Sequence, residues 1–382
     1  LIYFNFDKNK RNQILLKAKT YNNLQIIGLM SGTSLDGLDI AHVTFDFSTE
    51  NQFAFQILHS KTYPLPKDVF DTLLHIYNIN AQKVFELDQQ IAKFYAQSVL
   101  KFLSEFEIDK QEITAIASHG QTIFHQPQKG FTTQIGCGAT LNYLTKIPVI
   151  NQFRMLDVCA GGQGAPLVPI GDKYLFANLA DGFLNLGGFA NLSKITNNIS
   201  TAFDIAPANL PMNRWMQSLG ENFDHDGKLA RSGTIDSQVY HKAIQLDYFI
   251  QKGPKSLGTE WLDQCYMPLF EHLSIPDRLR THLEILSKLC CTQLQQLHIN
   301  KVLVTGGGAH NGFLIEILQN LYSGELIVPD STLINFKEAL IFAFLGARYL
   351  RNETTTLKEV TGAREALRTG ILHDYQGLLY KI

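Results

Sequence analysis

The chain has 382 residues, enough for two domains or one large bilobal unit. With 45% hydrophobic and 18% charged residues, it has the composition of a soluble globular protein able to bury a sizeable core. A formal net charge of −2 excludes a field that would gather nucleic acid or an anionic membrane. No apolar run reaches the roughly 18–20 residues of a membrane span.

Residues 1–23 begin with six largely apolar residues ahead of Asp7 and a basic segment. That order is the reverse of a secretory signal, so the stretch is read as an N-terminal extension without an assigned role. Five cysteines (Cys137, Cys159, Cys265, Cys290, Cys291) form no C-x-x-C pair and no metal-ligand spacing. This suits a reducing cytoplasm and gives no zinc site.

Leu24–Met30 and Leu38–Phe47 are β-type runs joined by Ser31, Gly32, Thr33, Ser34, Leu35, Asp36 and Gly37. The connection is longer than a simple reversal needs. Its backbone N–H groups beside small hydroxyls suit a phosphate, and Asp36 or Asp39 suits the accompanying Mg²⁺. An ordinary decorated hairpin is the competing reading.

A third strand, Gln52–Thr62, follows, and then a helical stretch over Asp68–Phe106. There Val84, Leu87, Ile91, Phe94, Tyr95 and Val99 recur at spacings of three and four along one buried face. Thr114–Ala117 reads as a short strand whose end releases Ser118-His119-Gly120-Gln121-Thr122, the place where α/β proteins tend to hold ligands. His119 is either a substrate contact or a satisfied structural histidine. The strand Pro148–Gln152 leads to Arg154 and Asp157, then to Gly161, Gly162, Gln163 and Gly164. Arg154 and Asp157 either pair with each other or face a ligand; an Arg fork suits a carboxylate or phosphate.

Gly182–Ile195 repeats the opening pattern of strand, glycine turn (Gly187-Gly188) and strand, with Asn197-Asn198 and Ser200–Ile205 after it. Two meanders with small-residue turns read as an internal duplication, each half offering a turn to one polyphosphate. A helix is expected over Pro211–Leu219 and a strongly amphipathic one over Asp277–Leu297. Lys301–Thr305 is a strand that breaks into Gly306-Gly307-Gly308 before a helix over Phe313–Leu321, which is nucleotide-site geometry. Phe336–Leu350 is helical; Glu338 near its start either favours the helix dipole or reaches the metal.

These segments together resemble the anhydro-N-acetylmuramic acid kinase family of the actin-like sugar kinase and ATPase superfamily. The likeness covers Ile26 to Ala363 and rests on GLMSGTSLDGLD (Gly28–Asp39), SHGQT (Ser118–Thr122) and QIG (Gln134–Gly136). It continues through AGGQGAPLVP (Ala160–Pro169), NLGGFANLS (Asn185–Ser193), GGGAHN (Gly306–Asn311), EALIFAFL (Glu338–Leu345) and VTGA (Val360–Ala363). The resemblance implies an α/β, bilobal, actin-like (ribonuclease H-like) fold, each lobe built on a mixed five-stranded sheet with flanking helices. ATP and Mg²⁺ are expected in the cleft. Lobe I would comprise 24–180 plus 345–382, and lobe II 181–344.

The activity implied is opening of 1,6-anhydro-N-acetylmuramic acid by water with transfer of the γ-phosphate to O6, in cytoplasmic cell-wall recycling. The resemblance makes Asp204 the base that activates water. It puts Gly28, Ser31, Gly32, Thr33, Ser34, Asp36, Gly187, Gly188, Asn191, Gly306, Gly307, Gly308 and Asn311 around ATP. Asp36 and Glu338 are the acids expected near Mg²⁺. His119, Arg154, Asp157, Gln163 and Asn209 are the candidates for binding a small-molecule anhydrosugar. The resemblance also suggests a homodimer, with no nucleic-acid or membrane partner.

Several positions depart from the family pattern. TGPG after the base is Ile205-Ala206-Pro207-Ala208, TGRE is Leu257-Gly258-Thr259-Glu260, and Gln152, Met155 and Leu156 stand where charged residues are usual. Alanine tolerates far fewer positive-φ conformations than glycine, so the 205–208 turn must have negative φ or a different path. Two alternatives accompany the main reading: a kinase for another anhydrosugar or a hexose, and a nucleotide-binding homologue with impaired catalysis.

Overall fold

The structure, a computed structural model, describes residues 22–32, 35–49, 52–195, 200–251, 255 and 257–380. It divides into two compact units, 1–171 with 338–382 and 172–337. The divides fall earlier than the expected 180/181 and 344/345, so Glu338 belongs to the first unit. Among the described residues no helix is long and apolar enough to cross a membrane.

The first unit is built on a seven-stranded sheet. Its strands are β1 (Asn23–Ser31), β2 (Leu38–Thr49), β3 (Gln52–Tyr63), β4 (Ala115–Gln126), β5 (Phe131–Ile135), β6 (Val149–Asn151) and a last strand, Ile371–His373. β1 pairs antiparallel with β2 and parallel with β4, and β4 runs parallel to β6. Nearly every residue of β1 is buried, as a central strand covered on both faces requires. The expected face of the long helix is real. Leu87, Ile91, Tyr95 and Val99 of Ala81–Glu105 are buried in the core, while Val84 and Phe94 lie at its edge. The helical stretch is nevertheless two helices, Lys67–Leu74 and Ala81–Glu105, with Asn80 capping the second by accepting from Lys83 N–H.

Two strands exceed the five expected. β5 folds back on the extended end of β4, and Ile371–His373 adds to β6. The β4 extension also corrects the reading of 118–122. These residues are inside the strand, not beyond its end, because β4 leaves β1 through a bulge and goes on to pair with β5. Gly120 takes the positive φ of 77° at that irregularity, and a Cβ there would lie 2.8 Å from the Ile135 carbonyl oxygen.

The second unit holds β7 (Gly182–Leu186), β8 (Phe189–Ile195), β9 (Ser200–Pro207), β10 (Lys301–Thr305) and β11 (Glu325–Ile327). The strand order is β11-β10-β7-β8-β9, with parallel pairs on the β10 side and antiparallel pairs on the β8 side. In the first unit β6-β4-β1-β2-β3 has the same order and the same senses. The duplication read from two glycine turns is therefore a repeated five-stranded core. The Asn197-Asn198 turn lies outside the described residues.

The amphipathic helix Ile275–Gln296 packs beneath this sheet through Leu279, Leu283, Leu286, Cys290 and Leu294. Its His282 is wholly buried. Nε2 donates to the Ala208 carbonyl (2.9 Å), so Nδ1 accepts from the Tyr266 hydroxyl (2.8 Å). Burial holds this imidazole neutral, with its pKa lowered to about 4. At the margin of the unit Lys337 Nζ pairs with Asp172 Oδ1 at 2.7 Å, both side chains buried, and Ser193 Oγ donates to Asp172 Oδ2 (3.0 Å).

A histidine whose folded pKa is depressed contributes stability above its unfolded value, and that stability is lost as pH falls through the folded value. The urea midpoint should thus decline from near pH 6.5 toward pH 4, and His282→Gln should flatten the decline. An unchanged slope would remove His282 from the acid response. Lys337→Met leaves a buried carboxylate without its cation and should cost about 3–5 kcal/mol of unfolding free energy. The pair Lys337→Met with Asp172→Asn should recover most of that loss; no recovery would mean that the cation acts through packing alone.

Candidate active site

The hairpin β1–β2 has a pinned turn. Ser31, buried at the end of β1, donates from Oγ to Gln121 Oε1 (2.6 Å) and lies 3.2 Å from the Gly37 carbonyl. Gln121 Nε2 in turn donates to the Gly32 carbonyl (3.2 Å). Gln121, the fourth residue of the SHGQT motif, is the brace of the turn. Thr33 and Ser34 lie outside the described residues.

Asp36 is exposed and Asp39 partly buried. Burial raises the Asp39 carboxyl, the Thr62 hydroxyl hydrogen bond (2.6 Å) opposes this, and the nearby Asp36 charge raises it further. Gly28 is not at the turn's surface. A Cβ there would meet the Ala339 carbonyl oxygen at 1.9 Å, so this glycine lets the helix Ser331–Leu350 lie against β1. Packing against Ala339 by itself accounts for a glycine at this motif position.

Behind the turn is a second cluster. His119 is buried, with Nδ1 3.4 Å from the Ser31 carbonyl and Nε2 accepting from Arg154 Nε (3.0 Å). Burial first, and the Arg154 charge second, hold its pKa well below 6.5. Arg154 Nη1 donates to the Gly164 carbonyl (2.8 Å). Burial lowers the guanidinium to about 10, against the pull of Glu338, and it stays charged at neutral pH. Glu338 is exposed at the surface of its helix, near enough to Arg154 to act on its charge.

Asp157 does not pair with Arg154. It is fully buried, accepting from Gly164 N–H at Oδ2 (2.8 Å) and from the Thr361 hydroxyl at Oδ1 (2.8 Å). Both oxygens are spent on closing the glycine loop, so Asp157 shapes the loop from beneath and does not face a ligand. Gln163 N–H donates to the Thr361 carbonyl (2.8 Å), and the Gln163 side chain is exposed. The VTGA segment, unassigned from sequence, therefore clamps the AGGQG loop.

In the second unit the glycine turns converge on Asn209. Its Nδ2 donates to the Leu186 carbonyl (2.8 Å) and its backbone N–H to the Gly187 carbonyl (3.0 Å). A Cβ on Gly308 would lie 2.7 Å from Leu186 Cβ and 2.9 Å from Asn209 Oδ1. Gly306, at φ 82°, is held against Asn185 Oδ1 and the Leu186 backbone. Asn209, expected on the sugar side, thus stitches together the Gly187-Gly188 and Gly306–Gly308 turns. Asn191 sits on β8 opposite both Asn185 and Asp204.

The helix after the triple glycine, Gly312–Leu321, does not present a bare N-terminus. Asn311 Oδ1 accepts from Leu314 N–H (3.1 Å) and Asp226 Oδ1 from Gly312 N–H (2.9 Å). Asn311 is a cap, and the expectation of a helix terminus aimed at the nucleotide is corrected.

Asp204 is near the end of β9, half-buried. Oδ2 accepts from Leu257 N–H (2.9 Å), while its own backbone N–H and C=O bond to the Lys255 carbonyl (3.0 Å) and the Tyr248 hydroxyl (2.8 Å). Burial raises its pKa and the Leu257 N–H opposes the rise. In the altered turn beyond it neither Ala206 nor Ala208 has positive φ. The turn therefore does not use the left-handed region that favours glycine. Among the described residues no three His, Cys, Asp or Glu side chains cluster as metal ligands.

The sequence model of the family described as anhydro-N-acetylmuramic acid kinase matches residues 24–374. The anhydro-N-acetylmuramic acid kinase of Shewanella pealeana is 36% identical over 91% of this chain and 98% of its own length. That of Pseudomonas fluorescens is 37% identical over 88% and 96%, and that of Vibrio vulnificus (strain CMCP6) 33% over 91% and 98%. With a match that spans nearly the whole chain and both repeated cores, this protein belongs to the anhydro-N-acetylmuramic acid kinase family.

Proposed function

We propose that the protein is an ATP-dependent kinase that opens 1,6-anhydro-N-acetylmuramic acid with water and phosphorylates O6. The product is N-acetylmuramic acid 6-phosphate, formed in murein recycling. The relatives' shared name supports the substrate. The observation that carries the chemistry is Asp204, a half-buried carboxylate with one oxygen fixed by Leu257 N–H and a raised pKa. The same reading carries with it a cytoplasmic location and a homodimeric state.

In this mechanism Asp204 accepts a proton through Oδ1 while the water oxygen bonds to the anomeric carbon. The C1–O6 bond breaks, and O6 takes the γ-phosphoryl group as its bond to ADP breaks. The loop braced by Gln121 and the loop braced by Asn209 each offer backbone N–H groups of the kind that bind phosphate. Gln163 and Arg154 are the sugar-side groups, with Asp157 and Thr361 fixing their loop.

The residues present fit a magnesium ion. Asp36 on the turn and Asp39 at the start of β2 place two hard oxygen donors near each other, close enough that the Asp36 charge raises the Asp39 carboxyl, and Mg²⁺ typically takes one or two carboxylates with substrate phosphates. Asp36 is the first ligand on this reading, with Glu338 acting through water. When bound, the ion neutralises charge developing on the transferring phosphoryl group.

With ATP, Mg²⁺ and the anhydrosugar in ¹⁸O-labelled water, one label should appear at the anomeric oxygen together with a new phosphate. Phosphorylation without label would point to a hexose kinase, and no turnover with retained ATP binding would overturn the enzymatic reading. Asp204→Asn should lower kcat by about 10²-fold or more while ATP affinity stays near wild type. Because the base must be ionised and its pKa is raised, the acid limb of kcat should lie above the ordinary Asp value of 3.8, activity rising with pH through it. A limb at or below 3.8 would assign the base elsewhere.

A further inference from the structure

We propose that His119 is a positioning residue that ties the turn at Ser31 to Arg154 and the Gly161–Gly164 loop, so that nucleotide and sugar bind cooperatively. The naming of the two ligands rests on the function proposed above; the network itself does not.

Each ring nitrogen of His119 has a partner that can play only one role. The Ser31 carbonyl, 3.4 Å from Nδ1, only accepts, and Arg154 Nε, 3.0 Å from Nε2, only donates. One form satisfies both, the neutral imidazole with its hydrogen on Nδ1. Any other form sets N–H against N–H at Arg154. The ring is further fixed by Phe342, whose centroid lies 4.7 Å away. The charged groups acting on this pair are Arg154 itself and Glu338, and Arg154 also acts on His125.

From His119 the bonds run on in one direction. Arg154 Nη1 holds the Gly164 carbonyl, Gly164 N–H holds Asp157, and Asp157 accepts from Thr361. On the opposite side Ser31 Oγ is bonded to Gln121, which grips the Gly32 carbonyl. A phosphate that orders the Ser31–Gly32 backbone thereby orders the His119–Arg154 bond and the loop that Arg154 holds. A ligand at the loop does the same for the turn, as linkage requires.

Two substitutions separate the halves of the ring. In His119→Gln the amide oxygen reproduces the acceptor at Nε2 and loses the donor toward Ser31. In His119→Asn the amide N–H reproduces the donor at Nδ1 and loses the acceptor for Arg154. Titration calorimetry with a non-hydrolysable ATP analogue and 1,6-anhydro-N-acetylmuramic acid reads the coupling. In the wild type the analogue should tighten sugar binding by about 5-fold or more. In both variants that ratio should fall to about one. His119→Gln should keep the affinity for sugar measured alone, and His119→Asn the affinity for the analogue measured alone.

A wild-type ratio of one, or a ratio preserved in both variants, overturns the proposal. A second measurement needs neither ligand nor variant stability. The ¹⁵N spectrum of the histidine-labelled protein should contain one neutral ring protonated at Nδ1 and bare at Nε2 across about pH 5 to 8. Absence of such a ring overturns the proposal. If the wild type binds no anhydrosugar, the functional reading fails, and the ring spectrum still decides the role of His119.

Discussion

The contact on which the first unit depends is the seat of the helix Ser331–Leu350 on β1 and β4. Gly28 leaves the Ala339 carbonyl room that any side chain would fill, and Gly346 sits where a Cβ would lie 2.6 Å from the Ala117 Cβ. Helix and sheet normally stand off by the thickness of their side chains; two glycines remove that spacing here. The consequence is positional. Once Ala339 is fixed against Gly28, Glu338 is held where its charge acts on Arg154. Lys337, one residue earlier, is buried against Asp172 in the second unit.

The two units start from the same five-stranded plan and differ at corresponding places. In the second unit β10 stops at Thr305, and the chain turns through Gly306 into a loop against Leu186 and Asn209. In the first, β4 does not stop. It passes a bulge at the corresponding point and builds a hairpin with β5. That continuation carries His119 and Gln121 inward, where both are buried and bonded to the β1 turn. The polar residues that look like an exposed ligand loop are instead the scaffold of the β1 turn.

Much of this was legible in the sequence. Alternating and helical periodicities gave the two meanders, the helices Ala81–Glu105 and Ile275–Gln296 and the break after β10, because each rests on local pattern. Motif resemblance supplied the family and the pair of units. What stayed hidden depends on contacts distant in sequence. Asp157 and Thr361 are 204 residues apart, and no local signal tells a loop-closing carboxylate from a ligand-facing one. Asn209 and Gly28 likewise sit in motifs whose residues are retained for packing as readily as for binding. The cap made by Asp226 on Gly312 N–H, 86 residues away, turned an open helix terminus into a closed one. β5 and the strand Ile371–His373 are short and lack a strong alternation, so they needed the sheet edge to define them.

The setting of Asp204 suits the role proposed for it, because it reconciles two demands on a water-activating carboxylate. It must be ionised at neutral pH, yet basic enough to take a proton in the transition state. Full burial would give basicity and lose ionisation; full exposure would do the reverse. Here burial raises the pKa and a single backbone N–H, from Leu257, restrains it. That donor comes from the segment in which the chain departs from its family's pattern. Because a backbone N–H serves whatever the side chain, the departure at Leu257 leaves the restraint on Asp204 intact. The neighbouring side-chain departures, Thr259 among them, leave that backbone donor in place. On the proposed mechanism, divergence in this loop therefore leaves the means of activating water in place.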